Sequence, residues 1–277
     1  MNKYTIGDAS KLCHISTKTL RYYDKIGLVK SLRSNANNYR YYDDNSLLLI
    51  PVIKYYKQMG FTLEEMTKII NQHDDTDQMM LDIFQQKMND FHREKKEWEI
   101  RYSSVHDWFN LIQEAQSVQQ SQDTNVSVLF FPGNDYLFLK QSFDENIQST
   151  VINIEFTEYV EQLKAHIAGP IILKFNSYQE RISGVNKTCI LQKAIFSCPP
   201  ENTMFIGAQS MVRCYHIGSH KTIKQTYDKI TKWAESNDYS LENECYERYV
   251  LDYWTSRDSN KFITEVLIPG KKNISSK

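Results

Sequence analysis

The stretch TLRYYDKIGL, residues 19–28, places one arginine, two adjacent tyrosines and two opposite charges just behind a helix-start signal. Ser16 is the expected N-cap of that helix and Gly27 its stop. A helix buried on every side would not carry so many long polar side chains. At helical spacing Leu20 and Tyr23 share one face, while Lys18, Arg21, Tyr22 and Lys25 recur at i, i+3, i+4 and i+7 on another. Three cations with an aromatic suit phosphates, guanine edges and the sugar–phosphate wall of a duplex. A plain solvated face is the alternative.

The flanking residues turn this helix into a module. In YTIGDASKLC, residues 4–13, Thr5 caps a first helix with Asp8 three residues on, and Ile6, Ala9 and Leu12 or Cys13 supply its apolar stripe. Two short helices joined by the turn at His14–Ser16 read as helix-turn-helix. Beyond Gly27 the pattern predicts a hairpin, with arms over 27–32 and 39–42 around an Asn/Ser-rich turn, the second arm interleaving Arg40 with Tyr39, Tyr41 and Tyr42. A helix capped near Asp44 or Asn45 follows, with a kink or break expected at Pro51, and it ends at Gly60. Thr62 and Glu65 then form a capping box for a further helix.

Charge supports the same module. Residues 1–57 hold ten Lys and Arg against four acids, a surplus of six on a chain whose net charge is −1. An anionic partner met by one end is the reading. No apolar run nears the ~20 residues of a membrane span, no signal peptide opens the chain, and five scattered cysteines lack a C-x-x-C pair. A reduced, cytoplasmic protein without a cofactor is expected.

Neither Gly nor Pro occurs between Gly60 and Pro132, which predicts a helix-rich connector. Apolar residues repeat there in heptads: Leu81, Met88, Tyr102 and Phe109 along one seam, Phe84, Phe91, Trp98, Val105 and Ile112 along the other. At ~1.5 Å per residue such a helix is about 65 Å long, more stripe than one small domain covers. A partner helix is expected, in a looser pairing than a tight parallel zipper because the seam is rich in bulky aromatics. A helix packed on its own domain is the other reading.

The C-terminal part repeats one order twice: strand, helix, strand, strand, first from YLFLKQ to CILQKAIFS and again from MVRCYHIG to KFITEVLIP. That is an α+β arrangement whose halves could face each other across a cleft. In CYERYVLDY, residues 245–253, alternation places Cys245, Glu247, Tyr249, Leu251 and Tyr253 on one face. A carboxylate among aromatics needs a cation or hydrogen-bond donors. A lipophilic cation on tyrosine faces would serve, as would Arg248, Arg213, Lys174 or tyrosine hydroxyls from within the chain. Tyr215, Phe138, Tyr136, Phe262 and Trp254 are further wall candidates. His216 and His220 have Gly218 between them and no third ligand, so they read as surface or capping histidines and no metal site is expected.

The ordered set TLRYYD.IGL, YRYY and GFTLEEM, within residues 3–72, resembles the winged-helix DNA-binding domain of the MerR family of transcription regulators. The resemblance implies base and backbone contacts from Arg21 and Tyr22 or Tyr23, and phosphate contacts from Tyr39, Arg40 and Tyr42 on the wing. Asn38 stands where the family usually has Gly, and Leu32 where it often has Pro. The family also implies an antiparallel coiled coil joining two subunits, a pseudo-palindromic double-stranded promoter site, activation by distorting that promoter, and RNA polymerase as an indirect partner. Further on, YHIG, the Tyr246–Glu247 pair and the closing TEVLIP resemble the GyrI-like effector-binding domain of BmrR-type multidrug regulators. There the glutamate reaches a bound cationic drug, which implies the same role for Glu247.

Three segments are therefore expected: a winged helix-turn-helix domain over 1–75, a dimerisation helix over 76–120 and an effector domain over 121–277. The function expected is a ligand-responsive transcription regulator rather than an enzyme. A C-terminal domain that grips a peptide or protein is the second reading. A GyrI-like hydrolase is the third, although no Ser-His-Asp or Cys-His arrangement is legible.

Overall fold

The computed structural model describes residues 2–33, 39–71, 77–142, 151–184 and 187–273. It divides into two compact units, residues 1–90 and 91–277.

In the first unit, β1 (Lys3–Thr5) leads into α1 (Ile6–Cys13), α2 (Thr17–Lys25), β2 (Leu32–Arg33), β3 (Arg40–Asp43), α3 (Asp44–Gln58) and α4 (Leu63–Asn71). The caps are local and act as their sequence suggests. Thr5 Oγ1 accepts from the Asp8 amide and Ser16 Oγ from the Thr19 amide. Thr62 and Glu65 bond each other's backbone N–H, the amide of Thr62 donating to Glu65 Oε2 at 2.6 Å. Ala9, Leu20, Tyr23, Leu28, Val29, Tyr42, Ile50, Ile53 and Met66 make the core; Cys13 faces it and Leu12 is exposed.

One expectation is corrected here. The first hairpin arm is only Leu32–Arg33, because the amides of Leu28 and Val29 both donate to the Tyr23 carbonyl and close the end of α2 instead. Gly27, at φ +74°, makes that reversal possible. Helix α3 runs on through Pro51 without a break, with the proline exposed on its surface. Strand β1 was not foreseen; its register on β3 runs from Lys3 opposite Asp43 to Thr5 opposite Tyr41, giving a sheet in the order β1-β3-β2. Asn38 and the wing turn lie outside the described residues.

Helix α5 (Asp77–Ser121) contributes residues to both units. The second unit adds β4 (Ser127–Phe131), β5 (Asn134–Ser142), α6 (Ile154–Gln162), β6 (Ile167–Phe175), α7 (Tyr178–Ser183), β7 (Lys187–Ala194) and β8 (Thr203–Ile206). It continues with β9 (Gln209–Ile217), α8 (Lys224–Ser236), β10 (Tyr239–Leu241), β11 (Cys245–Leu251) and β12 (Ile263–Lys272). The duplicated order is present: β5-α6-β6-β7 and β9-α8-β11-β12. Helix α6 starts at Ile154 because Asn153 Oδ1 caps it on the Phe156 amide at 2.7 Å.

The two halves both contribute residues to the cavities described below. They join edge to edge in one antiparallel sheet, β4-β9-β12-β11-β6-β7-β5-β8, with β10 on β12. The junction pairs equivalent strands, β11 with β6, placing Glu247 opposite Leu173 and Arg248 opposite Ile172. One face packs on α6 and α8 through Phe156, Val160, Tyr227 and Ile230. Across the sheet, Leu111, Ala115 and Val118 of α5 pack on Val250 and Ile263.

Candidate nucleic-acid interface and effector site

On α2 the structure exposes Lys18, Arg21, Tyr22 and Lys25 and buries Leu20 and Tyr23. Tyr39 is exposed beside the wing strand, whereas Tyr42 is fully buried and donates its hydroxyl to the Leu20 carbonyl at 3.3 Å. The rings of Tyr23 and Tyr42 thus fasten α2 and β3 to the core. Arg40 Nε sits 2.7 Å from Asp24 Oδ2, and Asp24 Oδ1 accepts from the Ser31 amide at 2.9 Å. Burial opposes the Asp24 charge, but the bonds from Arg40 and Ser31 outweigh it and hold the carboxyl below its ordinary range. Asp24, which the sequence did not single out, ties the wing to the exposed helix. Tyr42→Phe should cost about 1 kcal/mol in urea-unfolding stability, the worth of one hydrogen bond, without removing any exposed group.

Along α5, eight of the nine heptad positions are exposed: Leu81, Met88, Phe91, Trp98, Tyr102, Val105, Phe109 and Ile112. Phe84 departs from the set because it stacks on Tyr56 and meets Phe61 edge-on, inside the first unit. Trp98 and Tyr102 stack at 4.9 Å on the helix surface.

In the second unit Glu247 is fully buried. Its partner is none of the three cations weighed above but Arg181 of α7, whose Nε lies 2.8 Å from Oε1. Tyr227 and Tyr249 each donate a hydroxyl to it at 2.9 Å. Burial pushes against the carboxylate, yet Arg181, His220 and the donated bonds hold its pKa below the ordinary value. Glu247 does not line any cavity described below. Of its neighbours, His216 is buried and His220 half-buried: His216 bonds Thr226 at 2.9 Å and His220 bonds Thr264 at 2.8 Å, and desolvation pushes His220 down to about 4.

Two cavities open nearby. The first, about 420 Å³, lies on the α5 side of the sheet and carries Tyr136 and Tyr215 in its wall. Its floor is an ion network: Arg248 bridges Glu265 and Glu114, Arg213 meets Glu265 at 3.1 Å, and the Tyr215 hydroxyl donates to Glu114 at 2.8 Å. Phe138 packs against the same apolar cluster as Tyr136. The second, about 510 Å³, is walled by Trp108, Phe156, Tyr249 and Trp254 and also lined by Asp252, Glu158 and Glu161. Phe262 is buried, with Tyr253 edge-on to it at 4.5 Å. A register shift between Tyr249 and Leu251 breaks the alternation, so Leu251 turns to the face opposite Glu247. That bulge carries Asp252 to the cavity.

This arrangement defines a class: a winged-helix module with an exposed cationic helix, a long helix, and a duplicated α+β domain with two open cavities. Residues 4–73 match the family profile of the MerR HTH family regulatory protein, and residues 189–271 that of the GyrI-like small molecule binding domain. The first match falls on the winged-helix module and the second on the second half of the duplicated domain. The multidrug-efflux transporter 1 regulator of Bacillus subtilis (strain 168) is 48% identical over 66 residues, 24% of each chain. The multidrug-efflux transporter 2 regulator of the same organism is 22% identical over 258 residues, 90% of this chain and 89% of that one. The first match thus spans about a quarter of that relative's length and the second nearly all of it. Among solved structures, the EcmrR-DNA complex in EcmrR-RPo covers 98% of this chain and 100% of its own at 20% identity, TM-score 0.46.

Proposed function

We propose that the protein is a dimeric transcription regulator that binds pseudo-palindromic promoter DNA and answers to a lipophilic, cationic small molecule. Lys18, Arg21, Tyr22 and Lys25 of α2 enter the duplex groove, and Tyr39 and Arg40 of the wing engage its backbone. A second copy pairs along the exposed α5 stripe, which sets two α2 helices for two half-sites. The GyrI-like domain takes the ligand, a reading supported by the names of the two Bacillus subtilis relatives. Activation follows from twisting and bending the promoter for RNA polymerase. Such deformation costs several kcal/mol, so the ligand must bind the two DNA-bound states unequally. The protein works in the cytoplasm and catalyses no reaction.

The observation that carries the reading is the division of α2. Leu20 and Tyr23 lock one face into the core, and the cations with Tyr22 are left outside it. Arg21→Ala should weaken promoter affinity by about ten- to a hundredfold and lower the log–log salt slope by about 1, as loss of one charged duplex contact does. Fluorescence anisotropy over a salt series measures both. An unchanged affinity and slope would remove α2 from the interface.

A further inference from the structure

The Glu247 charge is already answered within the fold. Arg181 meets it at 2.8 Å, two tyrosine hydroxyls complete its shell, and it is fully buried. A ligand's cation could reach it only by displacing an arginine that a charge-assisted bond holds in place.

Asp252 is in the opposite condition. It is 6% exposed and lines the 510 Å³ cavity, yet no ion pair involves it among the described residues. Among the described residues its one side-chain bond accepts the Trp254 amide at 2.8 Å on Oδ1. Three carboxylates line this cavity, Asp252 buried and Glu158 and Glu161 exposed, and none of its described lining residues is Lys, Arg or His. Trp108 and Trp254, with ring centroids 6.3 Å apart, and Phe156 supply π faces. A buried anion without a counter-charge, in an aromatic cavity of ligand size, is chemically complementary to a lipophilic cation.

We infer that the cavity between α6 and the end of β11 is the ligand site, and that Asp252 supplies its counter-charge in place of Glu247. The inference rests on the reading that this domain takes a lipophilic cation. Burial pushes the Asp252 carboxyl up to about 6, against an ordinary 3.8. A pKa raised on folding means that the fold favours the protonated form. The cost of ionisation is absent below the unfolded value and complete above about pH 6. A bound cation relieves that cost. Affinity for a permanent cation should therefore rise about tenfold between about pH 5 and 7 as Asp252 ionises.

The test uses the full chain with tetraphenylphosphonium, whose charge does not titrate, and tetraphenylborate, which has the same shape and opposite charge. Calorimetry should show the phosphonium bound more tightly than the borate by the wild type. Asp252→Asn keeps the acceptor for the Trp254 amide and removes only the charge. It should bind the phosphonium about tenfold or more weakly, lose the pH response, and melt no lower than wild type at neutral pH. Glu158→Gln with Glu161→Gln, which removes the other two acids lining the cavity, should keep the pH response. Equal phosphonium affinity in wild type and Asp252→Asn would overturn the assignment of Asp252 while leaving a cation-responsive domain intact. No phosphonium binding by the wild type would overturn the cationic-ligand reading as well.

Discussion

Glu247→Gln is expected to destabilise the protein by about 3–5 kcal/mol, because it leaves the Arg181 guanidinium buried without its anion. The side chains of the pair are 12% and 0% exposed, so solvent offers Arg181 little compensation. Two tyrosine hydroxyls also lose their charged acceptor, which adds to the cost. Urea unfolding of the variant should show the midpoint shift. Adding Arg181→Met should recover much of the loss, since replacing both members of a buried pair by apolar or neutral groups is far cheaper than removing one. The pH dependence has a fixed sign. The folded-state pKa of Glu247 lies below its unfolded value near 4.5, so its contribution is complete above that value and fades as pH falls through the folded one. A variant as stable as wild type would deny Glu247 its structural role and return it to the ligand.

Trp98→Glu combined with Phe109→Glu should dissociate the dimer and weaken promoter binding by about a hundredfold or more, because the second half-site is then no longer bound intramolecularly. Both rings are exposed on α5, 61% for Trp98 and 58% for Phe109, so neither substitution empties a core. The melting temperature of the monomer fold should barely move apart from the loss of association itself. Sedimentation of the variant beside an anisotropy titration separates the two effects. A variant that remains a dimer would place the subunit contact elsewhere.

The first unit was largely legible because its signals are local. Thr5, Ser16, Gly27 and the Thr62–Glu65 box each act within a few residues, and the split between Tyr22 outside and Tyr23 inside follows from helical spacing alone. What stayed hidden there depends on pairing across the chain. Lys3–Thr5 is a strand only because β3 lies beside it, and Asp24 meets Arg40 across 16 residues. Tyr42 sits in the same motif as Tyr39, yet one is buried and the other exposed, since Tyr42 lies within the central strand β3 and Tyr39 precedes it.

In the second unit, alternating patterns gave the duplicated order, while the surroundings of Glu247 and Asp252 lay beyond reach. Arg181 lies 66 residues from Glu247, and nothing in the run YQERIS marks its arginine as the partner of a distant carboxylate. The bulge between Tyr249 and Leu251 changes which face follows, so counting by twos assigns Leu251 to the wrong side and gives no cue that Asp252 reaches a cavity. Tyr136 and Tyr215 do line one cavity, and Tyr249 and Trp254 another, but a single pocket joining all the candidates does not exist among the described residues.

The central claim is that a cationic helix, presented twice, docks into a duplex. Its most direct test is the affinity of the full chain for a two-half-site promoter duplex and for a single half-site, titrated from about 50 to 200 mM salt. The account predicts a steep fall, about a thousandfold over that range for six or more phosphate contacts, with the single half-site bound far more weakly throughout. A shallow slope with equal affinity for both duplexes would contradict it.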